Sequence, residues 1–209
     1  MRNNGLSLTL LILFIITWVA QWLAGWKHSN DEREQHGQGS ISAFSYLSTG
    51  EFWQATGENW ESEFLQMGLF VVLTVFLYQK GSPESHDPDA QENEVPLDSR
   101  SPWPARRGGL WRSMYRYSLS LAFLLLFLIS MSIHVIGGWY AMRDDEARHL
   151  GMSCAILHYL ASSRFWFESM QNWQSEFLSL LAMVFFSVYL RHEGSAESKP
   201  VNSPHHDSG

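Results

Sequence analysis

Cysteine occurs once in the 209 residues, at Cys154, which excludes an intrachain disulfide framework and leaves one thiol, read as structural. The sequence also has no nucleophile elbow, no phosphate loop, no nucleotide fingerprint and no cysteine pair, so the chain is read as not an enzyme. No catalytic, cofactor-binding or metal residue is assigned, and no cofactor is expected. Basic residues are few, 14 against 21 acidic ones, and no nucleic-acid partner is expected. The net charge of −7 and a mean hydropathy of −0.14 would suit a soluble acidic protein if position were ignored.

Position overturns that reading, because charge is missing from long stretches. From Leu6 to Ala24 no residue is charged, and from Tyr117 to Tyr140 only His134 can be. At about 1.5 Å of rise per residue each run is long enough to cross a bilayer. A cleaved signal peptide is the alternative for the first run, with Ala20 and Ala24 near its end, but signal cores are usually only ~7–15 residues long. The runs Phe64–Tyr78 and Phe177–Leu190 fall short of the ~20 residues a span needs. Each becomes long enough only by taking in the segment before it, NWESEF at Asn59–Phe64 and NWQSEF at Asn172–Phe177.

Those two segments belong to a duplication. A displacement of about 113 positions, from Asn59 to Asn172, holds without a gap along the chain, as an internal repeat requires. It matches Gly25-Trp26 with Gly138-Trp139, Tyr46-Leu47 with Tyr159-Leu160, Phe52-Trp53 with Phe165-Trp166, and Gly81-Ser82 with Gly194-Ser195. Repeat 1 covers residues 1–81, with spans at about 6–26 and 60–79. Repeat 2 covers 117–198, with spans at about 117–140 and 173–191. Two spans per copy means that both copies enter the membrane in the same sense, the parallel kind of repeat.

Residues 82–116 between the copies are rich in proline, charge and small polar groups and are read as a disordered linker, as is the tail 199–209. The end of the linker, with Arg106, Arg107, Arg112 and Arg116 beside Trp111 and Tyr115, is a basic juxtamembrane segment. It is read chiefly as a topology anchor, with anionic headgroups as the alternative partner. Basic residues concentrate in the N-terminus, linker and tail, which places these in the cytoplasm and the stretches between spans outside. Trp18, Trp22, Trp26 and Trp139 then suit an interfacial belt.

On a helix, Asn59, Glu63 and Gln66 share one face, and Asn172, Glu176 and Ser179 share its counterpart. These six residues are the candidate polar intramembrane site. A polar stripe entering a span must face the bundle interior or a watery cavity. Three readings stay open. The stripe ties helices together through hydrogen bonds and close packing; Asn59 caps a helix with Glu61 and Glu63 in its first turn; or Glu63 and Glu176 meet as an acidic site that binds a cation or relays a proton. On the second point the helices are expected to begin near Phe52 and Phe165, because nothing in RFWFESMQNWQSEF breaks a helix.

Metal chemistry is not favoured. Glu146 and His149 have the E-x-x-H spacing of carboxylate-bridged sites, but Arg33 stands at the position matching Glu146. His36, His149, Asp31 and Asp144 are read as solvated or hydrogen-bonded, and His205-His206 as isolated. His134, matched by Gln21, is read as an interhelical hydrogen-bonding group. Gly81 and Gly194 are placed as the residues that stop the second and fourth helices.

The GLSL start, the AGW at the end of the first span, the two FWxxxxxNWxSEFL segments and the closing GSAESK together resemble a family of uncharacterised bacterial integral membrane proteins, a domain of unknown function. The likeness runs over nearly the whole chain, and GSPESH in the first copy is a slight departure. It implies a bacterial membrane and no activity. The expected fold is an all-α membrane protein with four transmembrane helices, arranged as two tandem parallel repeats of a two-helix unit. The expected setting is the inner membrane, with both termini cytoplasmic. The expected partners are the lipid bilayer and either a homo-oligomer or another membrane protein. A structural or interaction role leads, and a small proton or cation transporter using Glu63 and Glu176 is the alternative.

Overall fold

The computed structural model describes residues 4–86, 96–149 and 155–207, and for 146–149 the backbone alone. Cys154, the side chains of Glu146 and His149, and linker residues 87–95 therefore lie outside what is described. The described residues are all-helical, with no strand and eight helices. These are α1 (Gly5–Gln35), α2 (Ala43–Tyr46), α3 (Gly50–Phe76), α4 (Trp103–Arg107), α5 (Gly109–Arg116), α6 (Ser118–His149), α7 (Ile156–Ala161) and α8 (Ser163–Tyr189).

Helix α1 and the stretch Ser118–Asp145 of α6 are long and apolar enough to cross a membrane. Both continue past their apolar runs into charged sequence, through Gln35 and His149, where KHSNDEREQ in α1 holds neither glycine nor proline to break the helix. Helices α3 and α8 are each 27 residues long and run unbroken through their NWxSEF segments. Asn59 therefore lies well inside α3 and does not cap it, which removes the capping reading. The true starts lie slightly before the expected Phe52 and Phe165. There the hydroxyls of Thr49 and Ser162 accept from the backbone N–H of Phe52 and Phe165, at 3.4 and 3.3 Å.

The chain divides into two compact units. The first takes in residues up to Gly57 and Ser132–Phe165. Its core is aromatic, with Tyr46, Phe52, Tyr159 and Phe165 all buried. Tyr46 meets Phe52 edge to face at 5.8 Å, and Tyr159 meets Phe165 in the same way at 5.5 Å. Each tyrosine hydroxyl sits where a side chain on a facing glycine would be, Gly25 under Tyr46 and Gly138 under Tyr159. These matched contacts fall on positions that the sequence displacement pairs.

Within this unit α3 lies against α6 almost backbone to backbone. A Cβ on Gly57 would run into the backbone of His134, and one on Gly137 would run into the backbone N of Gln54. Small residues permit such an approach, which gains dispersion and weak polar contacts between the two backbones. The loop after α1 is tied back to that helix. Asn30 both donates to the Ile41 carbonyl (3.0 Å) and accepts from its N–H (2.8 Å). The Trp26 and Trp22 indoles donate to the carbonyls of Ile41 and Ala43, each at 2.7 Å. These two tryptophans, read as belt residues, thus also fasten a loop.

The second unit holds Glu58–Met131 and residues from Trp166 onward. Among its described residues the buried side chains are mostly polar: Glu61, Ser62, Gln66, Ser82, Ser130, Ser169, Ser187 and Lys199, with Val188 as the buried apolar one. An interior built that way must satisfy its polar groups by hydrogen bonds, and those bonds define the candidate site.

Candidate functional site

In the second unit a seam of hydrogen bonds joins α3 to α8. Gln66 Nε2 donates to the carbonyl of Glu176 at 2.7 Å and to Ser179 Oγ at 3.0 Å. Asn172 Nδ2 donates to Glu58 Oε1 at 2.5 Å and to the Glu168 carbonyl at 3.3 Å. Ser169 Oγ donates to Glu61 Oε1 at 3.4 Å. Carboxylate oxygens of Glu58 and Glu168 lie within 4.8 Å of each other. The seam thus carries three carboxylates, and Glu61 is 0 % exposed.

Of the six residues picked out by spacing, Gln66, Asn172, Glu176 and Ser179 lie on this seam. Glu176 contributes its backbone carbonyl, and its half-buried carboxylate is within electrostatic range of Glu63. Asn59 and Glu63 are exposed. On α8, Asn172 and Ser179 join the seam through their side chains and Glu176 through its carbonyl. On α3 the contact face is rotated and passes through Glu58, Glu61, Ser62 and Gln66, still at helical spacing of three and four.

Glu58 and Glu168 are absent from the stripe read in the sequence, and Glu61 figures there only in the capping alternative, because that stripe follows what the two copies share. Their partners at the repeat displacement are Gln171, Gln174 and Ala55, so the acids appear as unmatched noise. The available signal was the charge itself: three acids on helices that lead into apolar runs, where an unpaired carboxylate is costly.

A second polar cluster lies at the other end of the same unit. After α3, Ser82 N–H bonds the Gln79 carbonyl (3.0 Å) with Gly81 at φ +86°; after α8, Ser195 N–H bonds the His192 carbonyl (3.2 Å) with Gly194 at φ +81°. Positive φ at the third position of such a turn selects glycine. Since α3 ends at Phe76 and α8 at Tyr189, Gly81 and Gly194 shape these turns and do not stop the helices. Within each GSxES the first serine accepts from the glutamate N–H, both at 3.2 Å, and the second accepts from the Gln79 or His192 N–H, both at 2.9 Å.

The two turns converge. Ser82 Oγ and Ser187 Oγ lie 3.0 Å apart and buried, and the Glu84 carboxyl lies close enough to that of Glu197 to feel its charge. Burial first, then the neighbouring Glu197 carboxyl, push Glu84 up to about 7. The tail packs nearby: buried Lys199 donates Nζ to the carbonyls of Pro204, His205 and Asp207, at 3.2, 3.1 and 2.9 Å. Other groups around the turns are Lys80, Arg191 and His205, and Arg191 donates to the Ser203 carbonyl at 3.1 Å.

A carboxyl held above its ordinary value of 4.5 resists ionisation in the folded state. Its penalty is absent below that value, grows as pH rises towards about 7, and is constant above. Thermal unfolding of the wild type is therefore expected to give a midpoint that falls between pH 5 and 8. Glu84→Gln should flatten that slope and raise the midpoint at pH 8. An unchanged slope in the variant would show that Glu84 is not the group responsible.

In the first unit a cavity of about 770 Å³ is lined by Glu32, Glu51, Asp144 and Asp145 together with Arg33 and Arg164. Glu51 accepts from buried Ser29 at 2.9 Å, and Arg33 Nε donates to the Gly39 carbonyl at 2.8 Å. His36 and Asp144 are exposed, in keeping with solvated roles. His134, the expected interhelical group, is buried with its Nε2 3.2 Å from the Tyr159 hydroxyl. Burial, reinforced by Glu51 and Glu32, holds the Tyr46 phenol well above its usual range.

No curated protein and no solved structure matches the chain. One family model does, over residues 1–209, and its description is a domain of unknown function, DUF6766. The resemblance seen in the motifs thus has a full-length counterpart, and the chain belongs to the DUF6766 family.

Proposed function

We propose that this chain is a four-span protein of the bacterial inner membrane, built from two parallel copies of a two-helix unit, that binds a proton or small cation in the α3–α8 seam. The observation that carries the reading is Glu61, a fully buried carboxylate on a helix that continues into an apolar run. Ionisable groups at such depth are expensive and mark ion pathways more often than packing. Glu58 and Glu168 add two carboxylates on the same seam, where a shared proton or bound cation relieves their repulsion. The membrane setting is supported by α1 and α6, and the duplication by the matched Tyr46–Gly25 and Tyr159–Gly138 contacts. The distribution of arginine and lysine supports a cytoplasmic position for both termini and the linker. A binding or transport role, alone or as a homo-oligomer, fits better than catalysis.

Purified protein in liposomes should then pass protons or monovalent cations. Flux should fall at least tenfold in Glu61→Gln and in Glu58→Gln/Glu168→Gln, and stay near wild type in Glu63→Gln/Glu176→Gln. A structural role has one observation in its favour, the Gln66 bonds to Glu176 and Ser179, which only tie helices together. Absence of flux in every form, with Gln66→Leu lowering thermal stability, would select that role.

A further inference from the structure

The short helices ahead of α6 carry a pattern that the seam does not use. On α5, Leu110, Trp111, Met114 and Tyr115 fall on one arc at spacings of one and four, and all four are exposed. Arg112 and Arg116 fall together on another arc, with Ser113 beyond them. Trp103 on α4 and Trp111 on α5 have ring centres 5.4 Å apart, and the Arg107 guanidinium lies 5.1 and 5.7 Å from them. That cation–aromatic contact fixes the angle between the two helices while leaving the rings exposed. Arg106 precedes, and no acidic residue occurs between Asp98 and Asp144.

Continuity says what covers the apolar arc. Only Tyr117 separates α5 from α6, whose first turns expose Leu119, Leu121, Leu124 and Leu125. If α6 crosses the membrane, α5 has no room to leave its surface. An exposed apolar arc beside a purely basic one is the composition of a helix lying in the interfacial plane.

We propose that α4–α5 lies flat in the membrane interface, with Leu110, Trp111, Met114 and Tyr115 among the acyl chains and Arg106, Arg107, Arg112 and Arg116 binding anionic phospholipid headgroups. The inference rests on the membrane placement of α6 and is independent of any ion chemistry in the seam. Each arginine held near an anionic surface contributes about a fivefold preference for it.

The test uses the full chain with Cys154→Ser and one spin label, at Met114→Cys, Ser113→Cys or Leu124→Cys. It is reconstituted in phosphatidylcholine vesicles with or without phosphatidylglycerol. Label 114 should sit about 5–10 Å below the headgroups by collision with oxygen and a nickel chelate. Label 113 should be water-accessible and label 124 deep in the acyl region. Spin-labelled phosphatidylglycerol should associate with the protein severalfold more than spin-labelled phosphatidylcholine, and Arg112→Gln/Arg116→Gln should bring that preference most of the way back to parity. A wet label 114 with a deep label 124 overturns the proposal and leaves the membrane reading intact, whereas wet labels at both refute the membrane reading itself. Protection of label 114 that disappears on diluting the protein in lipid would mean that a second copy covers the arc, and equal association of both lipids would remove the headgroup claim.

Discussion

Gly57→Ala lowers the thermal midpoint by a few degrees, up to about 8 °C, against the direction that helix propensity alone requires. Gly57 sits inside α3, where alanine is ordinarily worth about 1 kcal/mol over glycine. Here the added methyl would lie 2.8 Å from the Cα of His134 and closer still to its backbone N. Backbone atoms of a packed helix cannot swing aside as a side chain can, so α3 must part from α6 along the contact that Gly50 and Gly137 also share. Overpacking of that kind costs about 1–3 kcal/mol and occasionally more, enough to reverse the propensity gain. At this chain length, each kcal/mol moves the midpoint by roughly 2–4 °C. Gly5→Ala supplies the control, since nothing lies within 4 Å of its Cβ position. It should be neutral or slightly stabilising. A stabilised Gly57→Ala would mean that the α3–α6 contact is not the close one described.

Tyr159→Ala is expected to cost about 3–5 kcal/mol, the range for removing a buried aromatic ring. Tyr159 is 0 % exposed and packs on Phe165, and its hydroxyl lies 3.2 Å from His134 Nε2. Tyr159→Phe keeps the ring and loses the hydroxyl, so it should cost only about 1 kcal/mol. The hydroxyl also occupies the space above Gly138, where a methyl would meet it. Gly138→Ala should therefore be damaging alone and milder when combined with Tyr159→Phe, a non-additivity that neighbours in contact display. Denaturant or thermal unfolding of the four forms checks this. Strict additivity would show that the hydroxyl and the glycine do not touch. The matched pair Tyr46 and Gly25 should repeat the pattern on a smaller scale, since Tyr46 keeps 3 % exposure.

Residue by residue, legibility followed the physics of each feature. The shared face of Asn172, Glu176 and Ser179 on α8 was legible because helical periodicity is local and needs only an unbroken helix. The α3 stripe was misread by a rotation of about one residue, because periodicity fixes spacing but not which of several polar rows faces a neighbour. Arg106 to Arg116 were read as a topology anchor. The exposed arc of α5 and the stacking of Arg107 on two tryptophans appear only when helical backbone gives those residues directions. The tail, polar by composition, gives no hint that three of its carbonyls gather on Lys199.

The chain's own order of residues settled that it is all-helical, where its two longest apolar helices run, and that GSxES and the Tyr and Gly positions recur in matched pairs. These are consequences of local periodicity and of repetition, which need no partner to be expressed. The tertiary structure alone decided that Glu61 is hidden, that Glu58 meets Asn172 and Glu168, and that Glu84 meets Glu197. Burial and pairing are properties of two segments brought together, and no single segment encodes the rotation at which it will meet the other.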